Sequence, residues 1–556
     1  MEAALEALRR CPPRDLARSA AAAEGGAAPA GTPLEALFGA LCRAGALAEA
    51  GPTRLQTPCR ALEAPRGGVR GGRAGWHLAA LFDAAVEWGH GAVVARYVRE
   101  VCQDAFAVSS NATEAYLMDG AMVRGWAAAY LQALAEDLER ALALLAGTGD
   151  WPAGAERLHK LWIRASGLLE VLAALAEEPA GAPDAGVGGL AERGRRIRLA
   201  SDVTLWCVLH EQHKAPPAGK LYGSVAEWRG ALQSRRQAAR HSYLGYLAGA
   251  KAAGAALAYP PAGVTAAVQA VFLAPDAGPE FDSGRCGADH ACTLLFLYYL
   301  MELGVADELL NAYRVQFEVP LEEFAEVRGG VILDVGRSGE LDTGCDLLCT
   351  AAGSRSPPLL AWCMLDRQKP EKAHYYVNVR ENSLLAERDH LALEDALLGL
   401  NVRLACGRLH EAFLAAQQQW TAVPDAAQRG AHARALTERL CDFCLTAKLV
   451  NRLIELPFLE EEERVVVATF RRWAADRDPS AIQWPLYLLL RDRVPEAVAA
   501  YREVAEQLGG GGEGGGMEVD HGLRDKALKY CRAILRTSCA LLPEAQQQQV
   551  VLGEPL

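Results

Sequence analysis

The sequence predicts an all-α protein, an irregular α-solenoid of helix hairpins with an N-terminal helical bundle, and three observations carry that prediction. Ala, Leu and Arg dominate while β-branched runs are few, and unbranched side chains lose less rotamer freedom in a helix than in a strand. Apolar residues recur three or four apart over long stretches, the spacing that stacks side chains along one helix face. Beyond Gly287 one local device repeats: an apolar helix, a break at Gly or Pro, then an acidic turn opening the next helix. With 51% of its 556 residues apolar, the chain has ample material for a core.

Taken in order, residues 1–75 read as short helices, Glu2 to Leu16 and Leu34 to Ala50, with flexible linkers at Ala20 to Pro33 and Arg66 to Gly75. Residues 76–287 read as the helical bundle. Leu78, Leu81, Phe82 and Ala85 share one helix face, Gly89 and Gly91 break it, and Val93, Val94, Tyr97 and Val98 begin the next. Leu131, Leu134, Leu138, Leu142 and Leu145 define a longer helix, as do Leu161, Leu168, Leu172 and Leu175. Pro179 to Gly189 and Ala215 to Gly219 read as loops.

Residues 288–508 carry the hairpin device, at Gly304-Val-Ala-Asp-Glu, Lys369-Pro-Glu-Lys, Gly407-Arg-Leu-His-Glu-Ala and Val494-Pro-Glu-Ala. The uneven spacing favours an irregular stack over a fixed-period repeat. A short strand is expected at Val331 to Val335. Pro457 followed by Glu460 to Glu463 opens a helix with Val466, Phe470 and Trp473 on its apolar face. A Gly-rich linker, residues 509–522, precedes a last amphipathic helix, Leu523 to about Leu542, in the segment 523–556.

The formal charge of -12 works against broad binding to phosphate backbones, so nucleic acid is not an expected partner. The 15 cysteines form no dense framework and no secretory signal opens the chain, which points to reduced thiols in cytosol or nucleus. The apolar run Ala291 to Met301 is shorter than the roughly 20 residues a bilayer span needs. The longer uncharged stretch Ala252 to Pro275 is broken by Pro260 and Pro261, so no membrane segment is expected.

Chemistry is sparse. Cys441 and Cys444 have the spacing of half a zinc site, with Cys345 and Cys349 conceivable as another half, but Cys441 and Cys444 sit on an apolar helical pattern with Leu440, Leu445 and Leu449 and read as core. Cys207, His210 and His213 share one helical pattern without a fourth ligand nearby, which reads as a polar helix end. The run GGGGEGGG lacks a preceding strand and a P-loop lysine, so it reads as linker. No nucleophile elbow, HExxH helix or cysteine-protease signature appears. The expectation is no catalytic residue, no metal ligand and no cofactor. Arg66 and Arg70, in an RGG pair, read as tether rather than RNA contact.

Several blocks together resemble the ELYS-like family, and within it the plant nuclear-pore-associated ubiquitin ligases. They are LFDAAVEWGHGAVVARYVREVCQDAFAVSSNATEAYLMD (Leu81 to Asp119), FLYYL (Phe296 to Leu300), LACGRLHEAF (Leu404 to Phe413), LVNRLIELPFLEEEE (Leu449 to Glu463) and LPEAQQQQV (Leu542 to Val550). The resemblance implies a helical stack, roughly Ala288 to Leu508, that docks on outer-ring nucleoporins at the nuclear envelope, with the cytoplasm as a second location. It also implies roles in cold response, flowering and messenger-RNA export, with a transcription factor as degradation target. The family's RING finger, whose paired Cys/His ligands hold zinc, would fall at Ala20 to Pro33, where Cys11, Cys42 and Cys59 stand singly. The first reading is therefore a non-catalytic scaffold or adaptor. The alternative is a ubiquitin-protein ligase or ligase subunit, working with a ubiquitin-conjugating enzyme through a finger supplied in trans or missing from this gene model. Candidate docking residues are Arg408, His410, Glu411, Arg452, Glu455, Glu460 and Glu463, while Leu453, Ile454, Leu456, Val466 and Phe470 are expected to be buried.

Overall fold

The computed structural model describes residues 73–103, 109–148, 150–177, 185–212, 224–238, 240–249, 260–273, 288–336, 339–509, 521–544 and 547. The expected short helices and linkers before residue 73, the loop Ala215 to Gly219 and His213 lie outside them. So does the Gly-rich linker beyond Gly509. Every regular element among the described residues is helical. The described residues up to Ala238, with Leu244–Val331, form one compact unit; Ala239–Tyr243 with the described residues from Ile332 onward form a second.

In the first unit α1 (Arg73–Glu87) ends at Gly89, whose φ of 74° is the left-handed turn glycine adopts without steric penalty. Next come α2 (Gly91–Tyr97) with a π-helical turn, Val98–Cys102, and the short α3 (Ala112–Leu117). The long helices α4 (Gly120–Thr148), α5 (Trp151–Ala176) and α6 (Ala185–Leu209) make the bundle, and α5 packs on α1, α2, α4 and α6. The five leucines of α4 from Leu131 to Leu145 and the four of α5 are buried, as their spacing predicts. Helices α2 and α5 nearly touch: a Cβ on Gly91 would lie 2.2 Å from the Gly167 carbonyl oxygen, so only glycine fits there. The loop expected at Pro179 to Gly189 ends sooner, at Ala185, because Val187 buries itself and extends the helix back through the unobstructed Gly188 and Gly189. Likewise α1 starts at Arg73, inside the expected linker, one turn ahead of its first buried leucine, Leu78.

The unit continues through α7 (Val225–Ala238), α8 (Tyr243–Gly249), α9 (Val264–Val268) with its π-helical turn Gln269–Leu273, α10 (Ala288–Glu302), α11 (Asp307–Gln316) and, up to Val331, α12 (Leu321–Val335). Helix α10 is buried all round, Ala291 to Leu300 having no exposed side chain, which accounts for the apolar run. The short strand expected at Val331 to Val335 does not form; those residues are the last turn and more of α12. Phe324, Val327 and Val331 bury one face at helical spacing after an acidic first turn, and that period outweighs the local β-branched composition.

The second unit is the hairpin stack: α13 (Leu341–Ala351), α14 (Leu359–Asp366), α15 (Pro370–Glu387), α16 (Leu393–Ala405), α17 (Leu409–Thr421), α18 (Ala426–Thr446), α19 (Val450–Leu453), α20 (Glu460–Ala475), α21 (Gln483–Leu489), α22 (Val494–Gly509) and α23 (His521–Ala540). Neighbours in sequence are neighbours in space, and a continuous core runs from Leu384 to Leu535. Five of the described helix ends in this unit share one turn. After α16, Gly407 N–H bonds the Leu404 carbonyl at 2.9 Å and Arg408 N–H the Arg403 carbonyl at 3.0 Å, the paired bonds of a Schellman cap. The same pair of bonds closes α14 at Gln368, α18 at Lys448, α20 at Arg477 and α21 at Asp492, each with φ between 56° and 59°. None of those four is the glycine such a turn favours.

Candidate functional site

The candidate residues sit at helix ends in the second unit. Helix α16 carries Arg403 in the middle of Leu398, Leu400, Val402 and Leu404, all buried. Its guanidinium meets Glu381 of α15 end-on, Nη1 to Oε1 at 2.9 Å and Nη2 to Oε2 at 2.6 Å, and Nη2 also donates to Asn378 Oδ1 at 2.8 Å. Such a two-pronged pair satisfies both charges inside the protein. Gly399 makes room for it, since a Cβ there would come within 1.9 Å of Glu381 Oε1 and 2.6 Å of Arg403 Nη1.

This buried pair leads outward. Glu411, in the first turn of α17, lies 2.8 Å from His374 Nε2 and 3.7 Å from Arg403 Nε, and accepts from Arg408 Nη1 at 3.3 Å. Arg408 in turn reaches Glu371, in the first turn of α15, at 2.7 Å. Partial burial would raise the Glu411 pKa, but the hydrogen bonds from His374 and Arg408 outweigh it and hold the carboxyl below the usual range. Three helices are thus stitched at one end, and the stitching fixes the direction of Arg408 and Glu411.

The turn of the next hairpin lies alongside. Its backbone is held from below by Arg491, which donates to the Ile454 carbonyl at 3.2 Å and the Leu456 carbonyl at 2.7 Å while lying 3.7 Å above the Tyr487 ring. Between the two turns is an open depression of about 420 Å³, lined by Gly407 to Glu411 and by Arg452, Glu455 and Leu456. Its floor is the buried Leu409 and Leu456; Arg408, His410, Glu411, Arg452 and Glu455 stand exposed around it. A small apolar floor ringed by charged groups of both signs suits protein recognition better than it suits a reaction.

Five of the seven candidates therefore meet. Glu460 and Glu463 do not line the depression. Glu460 pairs with Arg464 one turn on, and Glu463 pairs with Arg493 at the start of α22. Between them Glu462 is buried, accepting from Trp420 Nε1 at 2.8 Å, Gln417 Nε2 at 2.9 Å and the Leu459 N–H at 2.8 Å, so the acidic run is a helix cap with one structural carboxylate. Leu453, Ile454, Leu456, Val466 and Phe470 are buried as expected. Sequence reasoning missed Glu371, His374, Glu381, Gly399, Arg403 and Arg491. A signal existed for Arg403, a charge centred in an otherwise apolar helical stripe.

The cysteine patterns are core. Cys441 and Cys444 belong to the main apolar cluster, and burial pushes both thiols up, away from the thiolate a metal requires. Cys345 and Cys349 are also buried. Cys207 is fully buried, and the His210 ring lies 4.7 Å from that of Trp206. Among the described residues no three His, Cys, Asp or Glu side chains converge as a metal site, and no described helix is long and apolar enough to cross a membrane.

Comparison with known proteins adds two findings. Residues 238–472 match the family model for ELYS, described as nuclear pore complex assembly, and that segment contains the whole depression. The chain is also 22% identical to a protein named E3 ubiquitin-protein ligase HOS1 from Arabidopsis thaliana, over 86% of this chain and 58% of that protein. It thus spans little more than half the length of this curated relative.

Proposed function

Because the chain is ELYS-like over residues 238–472 and related in sequence to a plant ubiquitin ligase, we propose that it is a non-catalytic scaffold of the nuclear pore whose second unit docks outer-ring nucleoporins. The observation that carries the reading is the depression between two hairpin turns, which lies wholly inside the matched segment and is rimmed by Arg408, His410, Glu411, Arg452 and Glu455. Arg408 and Glu411 on its rim are pre-set by their ion pairs, so these two lose little side-chain freedom on docking, a saving of about 0.5–1.5 kcal/mol for each. Nucleus and nuclear envelope are the corresponding location.

Affinity capture of the tagged protein from nuclear extract tests this. Enrichment of outer-ring nucleoporins by the native chain, and its loss in Arg408→Glu/Arg452→Glu, is the expected outcome. Equal recovery with both chains would move the contact elsewhere, and no enrichment with the native chain would end the scaffold reading.

The relative's name supports a second reading, in which the chain is a ligase subunit that presents a target, such as a transcription factor, to a ubiquitin-conjugating enzyme held by a RING partner. Purified chain should then build ubiquitin conjugates only when that partner is added. Conjugates formed by the chain with conjugating enzyme alone would place the catalytic module in the chain itself.

A further inference from the structure

Several surface cations of the second unit are paired, while others such as Arg388, Arg434, Lys448 and Arg477 are exposed without an ion pair among the described residues. Lys369 pairs with Asp342, Lys372 with Asp346, Arg408 with Glu371, Arg464 with Glu460, Arg472 with Asp442 and Arg493 with Glu463. Helix α23 differs in gathering four cations along one stretch after Asp525, its last acidic residue. From Lys526 to Ala540 it carries Lys526, Lys529, Arg532 and Arg536 and no acidic residue, in a chain that has 69 acids to 57 bases. All four cations are exposed, and Lys526, Lys529 and Arg532 form no ion pair among the described residues.

Their positions place them together. At about 100° per residue the four fall within roughly 120° of arc, whereas Cys531 and Leu535, which bury against the core, lie on the opposite side. Tyr530, 70% exposed, flanks the stripe beside Lys526, one turn further along the helix. The stripe runs about 15 Å along the helix, three turns at 1.5 Å per residue.

We propose that this face of α23 docks an acidic helical segment of a partner protein, with carboxylates spaced three and four residues apart opposite the stripe and an apolar side chain over Tyr530. Charge complementarity selects the sign, and the three-turn length selects a short segment. A polyphosphate strand fits less well. Strong phosphate-backbone binding draws on about 6–10 cationic contacts, and the stripe offers three unpaired cations with Arg536 beside them. The surface is separate from the depression around Arg408, and the inference stands without that reading.

The test is fluorescence anisotropy with the full chain and a labelled helical peptide bearing Glu at i, i+3, i+7 and i+10, against a twin with Gln at those positions. The native chain should bind the acidic peptide about tenfold more tightly than its twin, with affinity falling as salt rises. Lys529→Glu/Arg532→Glu should lose at least about tenfold at unchanged helicity, and the milder Lys529→Gln/Arg532→Gln an intermediate amount. Equal binding of the two peptides, or unaltered binding by both variants, would overturn the proposal. So would tighter binding of a single-stranded oligoribonucleotide, or of phosphatidylserine vesicles, than of the acidic peptide.

Discussion

Each unit buries an arginine among carboxylates, and the two arrangements are not equivalent. In the second, Arg403 has one closely matched partner, Glu381, with both prongs within 2.9 Å and Asn378 completing the set. In the first, Arg164 of α5 donates to Asp137 at 2.9 Å and to the Tyr130 hydroxyl at 3.0 Å, with Glu87 at 3.9 Å. Nearby Asp83 is buried, and it accepts a hydrogen bond from Trp126 Nε1 at 2.8 Å. Asp137 also pairs with Arg140 at 2.6 Å, so two cations face three acids, and the surplus is resolved by a proton. Burial, opposed by the Trp126 hydrogen bond and reinforced by Glu87, pushes the Asp83 pKa up to about 7. A matched pair makes a clamp, whereas a mismatched cluster makes a titrating group.

The comparison breaks most visibly at the clamp. Arg403→Met leaves Glu381 buried without its cation and should destabilise the second unit by about 3–5 kcal/mol, while Arg403→Met/Glu381→Leu should recover most of the loss. Hydrogen exchange of α15 to α17 under mild denaturant reads both. A double variant as unstable as the single one would mean that packing, not charge matching, holds these helices. Gly399→Ala should fall in the same range, because its Cβ cannot coexist with the closed pair.

The titrating cluster answers to pH instead. Asp83 ionises near 3.8 when unfolded and near 7 when folded, so its contribution is complete below about 3.8, declines by about 1.4 kcal/mol per pH unit as pH rises, and is gone above about 7. Between pH 5 and 8 protection of the α1 and α4 amides should fall by the equivalent of about 3 kcal/mol. Asp83→Asn, which keeps an acceptor for Trp126, should flatten that profile. An unchanged slope in the variant would assign the pH dependence to other groups.

Both clusters explain what could be read in advance. The helices of α4, α5, α18 and α20 were legible because their apolar residues recur at the helical period, and the hairpin breaks because Gly304, Gly407 and Pro370 are local signals. Five docking candidates were legible as exposed positions flanking two hairpin turns. What places them around one depression, the reach of Arg403 to Glu381 and of Arg491 to the Leu456 carbonyl, spans 22 and 35 residues of sequence and leaves no local trace. The strand expected at Val331 to Val335 failed for the complementary reason. Local composition favoured a strand, and the burial of Phe324, Val327 and Val331 along one helix face decided otherwise.

The smallest effects lie in the turns that separate one hairpin from the next. Lys448 closes α18 at φ 58° where Gly407 closes α16 at φ 73°, with the same two backbone bonds. An L-residue in that region is strained by about 1–2 kcal/mol, partly offset by the larger chain entropy glycine would lose on folding. Lys448→Gly should therefore stabilise by about 0.5–1 kcal/mol. Gly407→Ala should destabilise by a similar amount, and by no more, because its Cβ would meet nothing within 4 Å. Urea midpoints should move in opposite directions with the slope unchanged. If both substitutions shift the midpoint the same way, the two caps differ in something beyond their backbone conformation, and the equivalence of the repeated turns fails.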